Sequence, residues 1–205
     1  MRPYGPPRYS WVLAMTENDQ LEIAWSDWFQ VLRSIVSLME KDDLGSALSS
    51  LEGFLHRAAD PHIRSDALGF GADLKVRLGD VVGAEDDLKI ARSLVGSCYQ
   101  RYVAELSLGA ICELQQRTDE AISWYRAALS TCINARDVSA GTAITRMTRL
   151  LPWELLSAHD LELCRKSIER SWAVLDLPGK PCLTDMPSAV LEITAAQTHP
   201  RDTHS

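Results

Sequence analysis

A small residue recurs along the chain at a constant interval, each time within the same pattern of apolar positions. Ala47, Ala84 and Ala121 are 37 residues apart. Each begins a set of small or apolar residues at positions i, i+4 and i+7, which share one face of a helix. The sets are Ala47-Leu51-Phe54, Ala84-Leu88-Ala91 and Ala121-Tyr125-Ala128. Such a recurrence is typical of repeat proteins and predicts an all-α repeat architecture.

The residues around these sets predict helix pairs joined by short turns. Asp43 and Asp80 precede two of the sets by the same distance, and Thr118 precedes the third. All three are predicted N-caps, because side-chain oxygens of Asp and Thr accept hydrogen bonds from the first amides of a helix. The predicted helices cover about 16–41, 44–55, 63–78, 81–94, 101–116 and 119–131.

The two ends of the chain depart from this interval. Further helices are expected over 140–151 and from an N-cap at Asp160 to about Leu175, and a short one fits 186–197. Prolines near the start predict an extended lead-in, and atypical terminal repeats are normal for such proteins. The predicted division is a lead-in at 1–15, a helical repeat domain at 16–177 with units of about 28–64, 65–101, 102–138 and 139–177, and a C-terminal tail at 178–205.

Composition and charge limit the classes of partner. A chain of 205 residues with 46% hydrophobic residues is able to bury a core. A formal net charge of −7 disfavours nucleic acid, and the scattered Arg92, Arg101, Arg146 and Arg149 are interpreted as a solvated face, with a local basic spot as the alternative. Because the sequence shows neither a signal peptide nor a long apolar run, we expect a cytoplasmic protein without a membrane span.

The sequence contains no recognisable catalytic or metal-binding motif. Its five cysteines form no C-x-x-C pair and lack histidines at metal-ligand spacing. Its five histidines are isolated, and there is no H-E-x-x-H, nucleophile elbow or phosphate-binding loop. We therefore expect neither an enzyme nor a protein with a cofactor or a metal.

The third unit resembles the tetratricopeptide repeat. Its Leu108-Gly109 is followed by Ala121, then by Tyr125 and Ala128, and the likeness extends over about 28–138 and weakly to 175. The resemblance implies an all-α, right-handed α-α superhelix of three to four helix pairs with irregular capping helices. The physical logic agrees with the resemblance: small residues let the helices approach closely at Ala84, Gly109 and Ala121, while larger side chains fill the space between units, namely Leu88, Tyr125 and Leu129.

Two features of the chain differ from that family. The interval of 37 residues exceeds the usual spacing of about 34 residues, so longer loops between units are expected. Glu105 stands where the family has an aromatic residue in the first helix of the third unit.

The resemblance implies that the first helix of each pair lines an inner surface that holds a peptide or a partner's helix. Such a surface would be apolar with a few acids and would suit an amphipathic or apolar segment. The family's grip on a C-terminal carboxylate is disfavoured, because Val36, Asp73 and Ala110 occupy the corresponding positions. The expected partner-binding residues are Phe29, Leu32, Val36, Met39, Asp66, Asp73, Val76, Arg77, Val103, Leu106, Ala110, Glu113 and Leu114.

The predicted function is a non-catalytic protein–protein interaction module: an adaptor, a regulatory subunit, or a masking or immunity-type protein. The alternatives are a self-assembling structural protein, which would be a homo-oligomer, and a regulator that responds to a peptide signal. Phe29 and Leu32 either face the partner or pack on the chain's own termini. Trp11, Trp25 and Trp28 either cap the first apolar face or make an interface.

Overall fold

The computed structural model describes residues 19–94, 97–135 and 140–198. Within these ranges the chain forms nine α-helices and one short 3₁₀ turn, Trp153–Leu155, and contains no β-strand. The helices are α1 (Asp19–Glu40), α2 (Leu44–Leu55), α3 (Pro61–Arg77), α4 (Val81–Ser93), α5 (Cys98–Leu114), α6 (Thr118–Asn134), α7 (Gly141–Leu150), α8 (Ala158–Val174) and α9 (Met186–Thr198). The predicted lead-in at 1–15 and the start of the first helix before residue 19 lie outside the described residues.

Neighbouring helices pack against each other along the chain, which confirms the all-α prediction. From α1 to α7 each helix contacts the next, and α3 also contacts both α1 and α5. The first helices of the first three pairs are therefore in successive contact. Further along, α6 contacts both α7 and α8, and α9 contacts both α7 and α8. None of the described helices is long and apolar enough to cross a membrane.

The predicted caps at the first two turns are confirmed. Asp43 accepts a hydrogen bond from the backbone N–H of Ser46 at 3.1 Å. Asp80 accepts one from the backbone N–H of Gly83 at 2.9 Å. Each carboxylate satisfies an amide that has no partner within its own helix, so the turn chemistry recurs with the interval of the chain.

The caps predicted for α6 and α8, Thr118 and Asp160, are wrong. Thr118 is the first residue of α6, and Arg117 occupies the cap position without a side-chain hydrogen bond. The cap of α8 is Ser157, which accepts from the backbone N–H of Asp160 at 3.1 Å. Asp160 instead bonds back to the Ser157 backbone and completes a reciprocal capping box.

Two helices begin earlier than expected because of local capping chemistry. Asp60 accepts hydrogen bonds from the backbone N–H groups of His62 and Ile63, so α3 starts at Pro61. A proline lacks the N–H that would be unsatisfied at this first position. Likewise Ser97 and Gln100 form a capping box at the start of α5.

The recurring alanines are buried, as their spacing predicts. Ala47, Ala84 and Ala121 are each fully buried. Gly109 approaches α6 so closely that an added Cβ would stand 2.4 Å from Cε1 of Tyr125. The tyrosine ring thus occupies the space that the missing side chain leaves, and α5 and α6 depend on a small residue at this position.

Glu105 is buried on α5 although its side chain is charged. Its carboxylate accepts a hydrogen bond from Nε of Arg92 at 2.9 Å and one from Oγ1 of Thr131 at 2.7 Å. The Arg92 guanidinium also lies 5.2 Å from the ring centroid of Trp124. A polar link between α4, α5 and α6 therefore replaces apolar packing, and it is tolerated because the buried charge has partners.

Both ends of the described chain are closed by helices that contribute to the core. Trp28 on α1 is fully buried, with its ring centroid 5.2 Å from that of Phe54 and 5.8 Å from that of Phe70. This places Trp28 in the core, whereas Trp11 lies outside the described residues. At the other end, α9 lies in the segment predicted as a tail, and its Val190 and Ile193 are buried in the same cluster as residues of α5 to α8.

Candidate functional site

The candidate site is the face that α1, α3 and α5 present on the side predicted to bind a partner. We call its thirteen predicted residues the predicted inner face. On α3 and α5 the positions opposite this face are buried, whereas the predicted positions are half-buried or exposed. On α1 the opposite side, with Gln30, Ser34 and Ser37, is exposed instead. The face is therefore accessible, and its chemistry differs from one helix to the next.

On α1 the predicted inner face is only partly accessible. Phe29 and Met39 are half-buried against the core cluster that α1, α2 and α3 form together, and Val36 is 39% exposed. Leu32 differs from the expectation, because it is buried in that cluster at 9% exposure. It lies one helical turn from both Trp28 and Ile35, and the three residues form one buried stripe.

On α3 the face is charged, and its charged groups already have partners. Asp73 and Arg77 form an ion pair with 2.9 Å between Oδ2 and Nε. Asp66 is half-buried and accepts a hydrogen bond from Nε1 of Trp28 at 3.1 Å. Burial raises the pKa of Asp66, while the bond from Trp28 acts in the opposite direction. Val76 alone adds a half-buried apolar side chain.

On α5 the face is apolar over most of its length. Val103 and Leu106 are half-buried against the core cluster that α5 to α9 form together, and Ala110 is half-buried further along the helix. Leu114 ends the stripe at the last residue of α5 with 64% of its surface exposed. These four residues share one side of the helix, so they form a continuous apolar strip that terminates in solvent.

Glu113, beside this strip, is the centre of a cluster that joins three helices. Its carboxylate accepts a hydrogen bond from the hydroxyl of Tyr125 on α6 and pairs with Nη2 of Arg149 on α7. Nη1 of Arg146, also on α7, lies 3.6 Å from Oε1 of the same carboxylate. Two guanidinium groups therefore share one carboxylate at the end of the apolar strip.

The ionisation of this cluster follows from its partial burial. The side chain of Glu113 is 14% exposed and that of Arg146 is 19% exposed. Burial lowers the pKa of Arg146, and the positive charge of Arg149 lowers it further. Burial, together with the bond to Glu113, raises the pKa of Tyr125. The tyrosine therefore stays protonated and donates its hydrogen bond throughout the physiological pH range.

The sequence interpretation missed the contribution of α7 to this face. It interpreted Arg146 and Arg149 as part of a solvated face, with a local basic spot as the alternative, and the structure brings both to Glu113, 36 residues before Arg149. The signal that was available is their spacing of three residues, which places both on one side of a helix.

Neither a protein-family model, nor a curated protein, nor a solved structure matches this chain. In the part of the chain that the structure describes, no group of three or more His, Cys, Asp or Glu residues is arranged to hold a metal ion.

Proposed function

We propose that this protein is a non-catalytic interaction module that binds a segment of a partner protein on the predicted inner face. The observation that carries the proposal is the apolar strip of α5, which ends in the exposed Leu114 beside a charged cluster. Such a module would act as an adaptor, a regulatory subunit, or a masking or immunity-type protein. Its mechanism is burial of the partner segment, without bond making or breaking by this chain.

The finer architecture that we propose is a right-handed superhelix of the tetratricopeptide type. The recurrence of 37 residues, the equivalent caps at Asp43 and Asp80, and the contacts of α3 with both α1 and α5 support it. In such a stack the first helix of each pair faces inward. The strip on α5 then lies on a concave surface with α7 beside it.

The energetics require contacts on more than one helix. Completing the burial of a side chain such as Leu114, which is 64% exposed, contributes about 1–2 kcal/mol. A micromolar complex needs about 8 kcal/mol after the costs of association are met. A partner segment must therefore also cover apolar surface on neighbouring helices, where Val36 and Val76 are available.

Substitutions of exposed residues on and off this face test the proposal. Leu114→Arg places a charge at the end of the strip, and Leu114 is already exposed, so the variant should fold. Val82→Arg is the matched control, because Val82 is 67% exposed but lies on α4, in the second helix of its pair. The wild type and both variants are used to retain partners from an extract of the native cells, after circular dichroism has verified folding.

We expect the wild type and Val82→Arg to retain the same partner and Leu114→Arg to lose it. Retention of that partner by all three proteins would reject the predicted inner face. A short peptide recovered in place of a protein would favour the peptide-responsive regulator instead. Light scattering at increasing concentration tests the self-assembling alternative, for which the mass must grow with concentration.

A further inference from the structure

We propose that the partner segment carries a cationic side chain, arginine or lysine, that binds the carboxylate of Asp66 on α3. The inference rests on the proposed function and specifies the chemistry of the partner that the predicted inner face selects. It is drawn from three features of one side of α3: a half-buried carboxylate without a cation, an aromatic ring one helical turn away, and open space at the glycine next to that ring.

Asp66 holds its negative charge without an ion pair. Its Oδ2 accepts a hydrogen bond from Nε1 of Trp28 at 3.1 Å, and the side-chain amide of Gln100 on α5 is its other polar neighbour. Among the described residues no lysine or arginine pairs with it. Burial raises the pKa of Asp66 more than Trp28 and Gln100 lower it, so these two neutral groups compensate the charge only in part. A carboxylate offers about four acceptor positions, which leaves Asp66 able to accept from a further donor.

The lysine and arginines of α3 are held by other partners. Arg64 donates to two backbone carbonyls of the segment before α3. Lys75 pairs with a carboxylate of α4 at 2.7 Å, and Arg77 pairs with Asp73 at 2.9 Å. The helix that carries Asp66 therefore supplies no cation for it, whereas a partner segment lying on this face can supply one.

The surface next to Asp66 has room for such a side chain. Phe70 lies one helical turn further along α3 on the same side, and its half-buried ring has its centroid 5.8 Å from that of Trp28, to which Asp66 is also bonded. Gly69 lies on this side as well, and no neighbouring side chain of the described residues lies within 4 Å of a Cβ built on it. An aromatic ring and open space therefore flank the carboxylate.

Arginine and lysine match this combination of groups. Each has an apolar stem that ends in a cationic head, so the stem can cover Phe70 while the head donates to Asp66. The partial burial of Asp66 reduces the screening of this contact by salt. The net charge of −7 also attracts a basic segment as it approaches. The recognised feature is therefore a basic residue within an otherwise apolar segment.

A peptide array with matched side chains tests the cation. The probes are short peptides with arginine, citrulline or glutamate at the central position and with leucines at varied positions around it. Citrulline has the shape of arginine and lacks its charge, so the preference for arginine over citrulline isolates the electrostatic contribution. The full-length wild type is compared with Asp66→Asn, which keeps an oxygen for the hydrogen bond from Trp28, and with Asp86→Asn. Asp86 is the control because it is exposed on α4 and its replacement removes the same charge.

Gly69→Met is a second variant that fills the open space and leaves the charge of Asp66 in place. It should fold, because a Cβ at Gly69 meets nothing within 4 Å and methionine favours a helix over glycine. Circular dichroism verifies the folding of all variants before binding is measured.

We expect the wild type and Asp86→Asn to bind the arginine peptides about threefold to tenfold better than the citrulline peptides. Asp66→Asn should abolish this preference while binding through leucine persists. Gly69→Met should weaken the binding of both kinds of peptide, since its side chain occupies the space that the central residue of the probe needs.

Three results would overturn the inference. Equal binding of arginine and citrulline peptides to the wild type rejects the cation. A preference that survives in Asp66→Asn, or binding that is unchanged in Gly69→Met, places the cationic contact elsewhere. Absence of binding to every peptide rejects the recognised feature. In each case the extract experiment with Leu114→Arg decides the proposed function separately.

Discussion

Replacing Gly109 by alanine tests whether the contact between α5 and α6 depends on the absence of a side chain. The added Cβ would stand 2.4 Å from Cε1 and 2.8 Å from Cδ1 of the Tyr125 ring. The ring is fully buried and its hydroxyl donates to Glu113, so the tyrosine has little room to withdraw. The helix must therefore shift away from its neighbour or the ring must leave its preferred position.

The expected loss of stability follows from two opposing contributions. Overpacking of a dense core costs about 1–3 kcal/mol, whereas alanine favours a helix over glycine by about 1 kcal/mol. At the short distance found here overpacking dominates, and we expect Gly109→Ala to lower the free energy of unfolding by about 1–2 kcal/mol. Gly69→Ala on α3 is the matched control, because nothing lies within 4 Å of its added Cβ. That change should raise the free energy of unfolding by about 0.5–1 kcal/mol.

Urea unfolding followed by far-ultraviolet circular dichroism measures both changes. The two variants should differ in sign, and the double change Gly109→Ala with Tyr125→Leu should cost less than the sum of its single changes. Equal effects of Gly109→Ala and Gly69→Ala would refute the close contact between the two helices.

Two further predictions concern buried charges. Arg92→Met removes the cation that pairs with the buried Glu105, and we expect urea unfolding to show a free energy of unfolding lower by about 1–3 kcal/mol. The loss is kept small because the arginine is itself half-exposed. Adding Glu105→Leu should recover most of the lost stability, since no unpaired charge then stays buried. Hydrogen bonds from Arg126 and Ser157 lower the pKa of Asp160 to about 2. The ionised carboxylate of Asp160 therefore stabilises the fold above the ordinary aspartate pKa of about 3.9, and this stabilisation is lost as the pH falls towards 2. Measured against pH, the free energy of unfolding should fall by about 2 kcal/mol over this range, and Asp160→Asn should lack that fall.

Some features could be predicted from the sequence because they depend on local chemistry. Asp43 and Asp80 each stand immediately before an apolar helical pattern, and a carboxylate at that point has nearby amides to accept from. The burial of Ala121 follows from the spacing of the apolar residues around it, which defines one side of a helix.

The two incorrect caps arose where the first turn of the helix offered more than one polar residue. Ser157 and Asp160 both have suitable oxygens, and in the structure they act together, with the serine at the cap and the aspartate in the first turn. At the start of α6 no side chain caps the helix, and Arg117 instead pairs with Glu85 of α4 and Glu120 of its own helix. The residue at that cap position therefore serves a contact with α4 rather than the amides of its own helix.

The charged part of the candidate site could not be predicted because it depends on how helices meet. Glu113 and Arg149 are 36 residues apart, and nothing in the local pattern of either residue indicates the other. The burial of Leu32 could not be predicted for the same reason, since the width of a buried stripe depends on the helix against which it packs.

Photocrosslinking in the native cell tests the central claim most directly. A photoreactive amino acid is placed at Leu114 in one protein and, as the control, at Val82 in another, since both side chains are about two-thirds exposed. We expect a defined adduct with a partner protein from position 114 and none from position 82. An adduct from position 82 without one from position 114 would contradict the assignment of α5 as the binding surface.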